Sequence, residues 1–221
     1  PFTVASSTGT SLFSILQNGN VGIGTSSPAS RLDIANSATS SAIITLRDVI
    51  GNVSLEIRAG TSTLNNTFVG KTAGASNTTG YANSAFGVNA FSSNTTGLEN
   101  TAFGRSALFD NTSGNGNIAV GAHSLASNTT GSSNIGIGNS TFATTTANNT
   151  GNYNIGIGNG ALVDNTTGSN NLAIGAFSLQ YNTTAAGNTA LGYGSLAYTT
   201  IGGGNTAVGS NALYRNTTGI R

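Results

Sequence analysis

From Asn66 onward, large apolar residues return at fixed offsets, separated by small and polar ones. Aligning on an Asn followed four residues later by Gly gives starts at Asn66, Asn83, Asn100, Asn117, Asn134, Asn154, Asn171, Asn188 and Asn205. Every step is 17 residues except one of 20, between Asn134 and Asn154. Nine copies thus fill residues 66–221. The consensus is N-T-A-h-G-x-x-A-L-x-x-N-T-T-G-x-x, with h large and apolar. Position 4 is Val69, Phe86, Phe103, Val120, Ile137, Ile157, Ile174, Leu191 and Val208. Position 5 is Gly70, Gly87, Gly104, Gly121, Gly138, Gly158, Gly175, Gly192 and Gly209. Position 9 is Gly74 and then Leu or Phe throughout.

Two short apolar segments per copy, each bounded by Gly and Asn, predict two short strands. Helix is disfavoured by the Gly and Asn at close intervals and because no apolar run lasts three turns. Seventeen residues are too few for paired-helix repeats and fit one coil of a parallel β-solenoid or β-roll. The expected fold is therefore all-β, with nine coils stacked about 4.8 Å apart into a rod roughly 40 Å long. The Asn of position 1 and the Gly of position 5 are expected to form turn columns. Both residue types accept left-handed backbone angles, and stacked Asn side chains form amide ladders. The extra residues of the long copy fall in "ATTTANNTGNY", where a solenoid tolerates insertion.

Alternation sharpens the picture. Positions 2 and 4 share one face of a strand and position 3 the other. Position 3 is almost always Ala or Gly, which suits the inside of a narrow roll. The bulky column at positions 2 and 4 then lies outside and needs another surface, so position 4 is the expected subunit interface of a homotrimer. The alternative places positions 2 and 4 inside and the Ala column outside, giving a monomeric solenoid.

Residues 1–65 lack the period and form a separate β-rich connector, with a characteristic line at 18–34. Asn18-Gly19 and the Gly-rich stretch before Pro28 predict short strands and tight turns. In "AIITLRDVIGNVSLEIRAG", Val53, Leu55 and Ile57 alternate with polar residues, so a hairpin is expected with Gly51-Asn52 at its turn.

Composition narrows function. Charged residues are 6% of the chain, against roughly 25% in ordinary domains. The net charge of +1 and the scattered Lys and Arg give no footprint for nucleic acid or an anionic membrane. With 37% apolar residues in register, the chain is not of the disordered class. There is no Cys, which excludes disulfides and thiolate metal sites. There is no Met either, so a processed product or a piece of a longer protein is expected. No apolar run approaches the length of a membrane helix, and no membrane insertion is expected within this chain.

"NGNVGIGTSSPASRLDI" resembles a segment common in phage tail fibres and fibre-like bacterial surface proteins, with Arg31 where Lys is usual. The repeats from Asn66 look like the heads of trimeric autotransporter adhesins, although their period of 17 is longer than is usual there. The resemblance implies a trimeric β-roll shaft displayed on a cell surface or virion.

Candidate chemistry is sparse. The single His, His123, reads as a surface variant at position 7. "GKT" at Gly70 lacks the earlier Gly of a phosphate loop, since residue 65 is Asn, and "GIGNG" at Gly156 is an isolated turn signal. The repeats hold too few acids for calcium ligation or paired-carboxylate hydrolysis. No catalytic residue, metal or cofactor is expected, and the chain reads as no enzyme. The Asn-Thr-Thr triplets, as at Asn77 and Asn94, match glycosylation acceptors but equally describe a turn ladder. The expected function is a structural and adhesive extracellular fibre segment, self-associating, with cell-surface glycans or another surface as its further partner. A self-polymerising filament subunit and an ice-binding Thr ladder at positions 13 and 14 are the alternatives.

Overall fold

The computed structural model describes residues 1–7, 11–34, 44–47, 53–59, 64–144 and 148–219. All its regular elements are strands. In the connector, β1 (Phe2–Ala5), β2 (Ser11–Ile15), β3 (Val21–Ile23) and β4 (Leu32–Ile34) form one sheet in chain order. The first two pairings are antiparallel and β3–β4 is parallel. Asn18-Gly19 does turn the chain, with Gly19 at φ 83° and the Gly19 amide donating to the Leu16 carbonyl. The expected hairpin is β5 (Ile44–Arg47) on β6 (Val53–Ala59), antiparallel; its Gly51-Asn52 turn lies outside the described residues.

The repeats give nine three-residue strands: β7 (Thr67–Val69), β8 (Ser84–Phe86), β9 (Thr101–Phe103), β10 (Ile118–Val120), β11 (Ile135–Ile137), β12 (Ile155–Ile157), β13 (Leu172–Ile174), β14 (Thr189–Leu191) and β15 (Thr206–Val208). They pair in parallel, in sequence order, each position beside its counterpart one coil on. This is a parallel β-solenoid. The hairpin joins the same sheet, because β6 pairs antiparallel with β7 and occupies its edge. The long copy keeps the register, with Ile135 beside Ile155.

Each coil has one strand, at positions 2 to 4, not two. The second apolar segment is a chain of turns whose residues at positions 7 and 9 have positive φ. Leu108 sits at 51°, Leu125 at 52° and Leu179 at 47°, and position 17 is left-handed as well. Left-handed angles reverse the chain within a few residues, so the Leu side chain turns inward without a strand to carry it. The conformation costs about 1–2 kcal/mol for a residue with a Cβ. Burying the Leu offsets this by roughly 1.5–3 kcal/mol, and these Leu side chains are fully buried.

The core is thin: the Ala of positions 3 and 8 and the Leu or Phe of position 9. Volumes trade between columns. In the first coil Phe68 replaces the small residue of position 3, and position 9 is Gly74, where a Cβ would overlap the Phe68 ring. Phe142 at position 9 is matched by Gly156 at position 3 of the next coil, where a Cβ would come within 2.7 Å of the ring.

Candidate functional site

Three surfaces run the length of the stack. The first is the outer face of the sheet. Position 3 points inward in every strand, while positions 2 and 4 are half-buried or exposed. Phe103, Val120, Ile137, Leu191 and Val208 are exposed, and Val69, Phe86, Ile157 and Ile174 are half-buried. The proposed interface residues therefore form one outward column, as the alternation implied. Neighbours in it touch along the axis, Phe86 stacking on Phe103 at 4.6 Å.

The second surface hides the Asn columns. The position 1 residues Asn66, Asn83, Asn100, Asn117, Asn134, Asn154, Asn171, Asn188 and Asn205 are buried, and none has positive φ. They are not left-handed turn residues; their side chains build the structure. The Asn100 backbone amide donates to Asn83 Oδ1 at 2.9 Å, and Asn100 Nδ2 donates to the Gly114 carbonyl at 2.9 Å. The same bonds recur at Asn117, Asn154 and Asn205. The Asn of the triplets forms a second ladder at position 12. Asn94 Nδ2 donates to Asn77 Oδ1 at 2.6 Å and to the Gly97 carbonyl at 3.1 Å. Asn111, Asn128 and Asn182 repeat this pattern. An Nδ2 has two hydrogens, and both are engaged. A glycan would replace one of them in a buried row, so the triplets serve packing.

The ladder has flaws where its sequence changes. In the long coil Asn149 takes the row, and its Nδ2 has no partner among the described residues. At Thr199, which replaces Asn at position 12, the hydroxyl is unpaired, and so is Asn182 Oδ1. The Thr of position 13 ties coils together as well: Thr95 Oγ1 donates to the Thr112 carbonyl at 3.0 Å and Thr166 Oγ1 to Thr183 at 2.9 Å. These hydroxyl protons point along the stack.

The Gly of position 5 is the true corner column. It holds φ between 126° and 136°. A Cβ there, as at Gly121, would overlap the carbonyl of the next Gly in the column. Only Gly meets both demands.

The third surface is the turn segment of positions 6 to 11. Here Phe177 meets Tyr193 edge-on at 5.9 Å, Tyr181 lies 4.5 Å from Tyr198, and Tyr198 is 5.1 Å from Tyr214. Hydrogen bonding to Tyr198 raises the phenol pKa of both Tyr181 and Tyr214. Earlier in the stack the same segment is open, with a cavity of about 330 Å³ lined by Asn89, Ser106, His123, Phe109 and Ala126. His123 belongs to this groove, which linear spacing could not reveal. The signal lay in the columns: position 7 holds Gly160 and Gly194 where others carry side chains.

Among the described residues no group of three or more His, Asp or Glu is placed to hold a metal ion. No family model matches the chain, nor does any curated protein or solved structure.

Proposed function

We propose that the chain is a segment of an extracellular structural and adhesive fibre, a stiff shaft of stacked coils that self-associates, most simply as a homotrimer. The observation that carries this reading is the unbroken apolar column at position 4 on the outside of the sheet, widened at position 2 by Ile118, Ile135, Ile155 and Leu172 in the middle coils. Scattered exposed apolar residues are ordinary, but a contiguous row is a place for another surface. Its members recur at the coil spacing, so a second copy meets it in register at every coil. Lateral association around an axis parallel to the rod closes the assembly. Low charge and the absence of Cys and Met suit an inert, exposed spacer. The resemblance of residues 18–34 to tail-fibre segments supports display on a cell surface or virion.

End-to-end growth as a filament is less well supported, because the β5–β6 hairpin occupies the β7 edge. The test is Ile137→Asp with Ile157→Asp. The solution mass, read by light scattering, falls to that of one chain while circular dichroism stays unchanged. An unaltered mass with an intact fold overturns the reading.

A further inference from the structure

We infer that the groove over Asn89, Ser106 and His123 binds an aromatic side chain, a tyrosine or phenylalanine presented by a polypeptide partner. The molecule itself shows what fits. The groove runs between the columns of position 7 and position 10. Farther along the stack, the chain fills it with its own rings. Phe177 lies over position 7 of the preceding coil, where a Cβ on Gly160 would come within 2.8 Å of the ring. Tyr214, at position 10, lies over Gly194 of its preceding coil, 3.4 Å from where a Cβ would stand.

At the open stretch the matching positions carry Ser106, His123 and Ala126, and Phe109 is the one ring among the lining residues. One wall is apolar, formed by Phe109 and Ala126. Phe109 offers an edge or face to an incoming ring. The other wall is polar. Ser106 is 8% exposed and lines the cavity. Asn89 Oδ1 accepts from the Thr72 hydroxyl, which directs the remaining amide capacity to Nδ2. A phenol entering the groove meets a hydroxyl, an amide and an imidazole at its polar end and Phe109 along its flank. The groove lies on a different stretch of each coil from positions 2 and 4, so this inference goes beyond the shaft reading and does not depend on it.

The test is a titration of the full chain with N-acetyl-tyrosinamide and, separately, with methyl glycosides of glucose, galactose and N-acetylglucosamine, following the His123 imidazole by NMR. The expected result is a saturable ring-current shift of His123 with the tyrosine probe alone. The double variant Ser106→Gly with Ala126→Tyr rebuilds the Gly194–Tyr214 arrangement in the groove. It adds no strain at position 7, since residue 106 has φ 56°. It is expected to fold, to keep its melting temperature, and to weaken the probe by about tenfold or more. No saturable shift with the tyrosine probe overturns the proposal, as does a glycoside that saturates in its place. Binding that survives in the folded double variant overturns it too. Solution mass reports on the shaft reading independently.

Discussion

Asn is the residue that does most to hold coil to coil. A buried amide with both hydrogens and its oxygen engaged contributes about 1 kcal/mol per net hydrogen bond, and leaving its neighbours unpaired costs about 1–3 kcal/mol more. Asn111→Ala strips a partner from Asn94 and from Asn128. We expect a loss of about 2–4 kcal/mol, read as a lower urea midpoint. The converse change is available at Thr199, where the row is already interrupted. Thr199→Asn supplies an Nδ2 to Asn182 Oδ1 and is expected to add about 1 kcal/mol and raise Tm. Residue identity alone points the wrong way here. Asn is a surface and turn residue by habit, so its column reads first as a set of corners. Only its recurrence at a fixed offset hints that the side chains meet one another.

At the scale of the element, the strand and the corner are distinguishable by substitution. Gly121→Ala combines a φ of 129° with overlap on the Gly138 carbonyl, and is expected to open the stack locally. Hydrogen exchange of the Phe103 and Val120 amides should accelerate by orders of magnitude. Gly168→Ala, at position 15, meets a similar overlap, with the Ala185 carbonyl against the new Cβ, but is expected to be milder because Gly168 is not at positive φ. The sequence told these columns apart poorly, because position 15 is Gly in every copy except the one with Ala185. The strand at positions 2 to 4 was legible, since a small residue at position 3 beside a large one at position 4, and in the middle coils also at position 2, has a period of two. The second apolar segment was not. Leu in a left-handed conformation leaves no mark on alternation, and its buried place resembles a strand. The trace it does leave is Gly74 in a column of Leu and Phe, and Gly116, Gly187 and Gly204 at position 17.

For the whole molecule, pH acts through two carboxyls at position 11. Burial raises the pKa of Asp110 and Asp164 above the ordinary Asp value. The folded chain therefore holds these protons more tightly than the unfolded chain. Stability from this source is greatest with both protonated, falls as pH rises from the ordinary Asp range through the raised values, and is level above them. Both groups are only half-buried, and solvent screening keeps the effect small. Asp110→Asn with Asp164→Asn is expected to flatten the corresponding part of a plot of Tm against pH.

The Asn rows also carry an electrical direction of their own, opposite to that of the Thr hydroxyl row. In both Asn rows the donor belongs to the later coil and the acceptor to the earlier one, as in Asn117 to Asn100 and Asn128 to Asn111. The amide dipoles thus lie head to tail, positive toward the first coil, and each polarises the next. Copies laid side by side in the same sense set like dipoles in parallel, a mild repulsion. Copies laid in opposite senses do not. In the parallel bundle proposed above, the apolar face would act against a small electrostatic preference for the reverse arrangement.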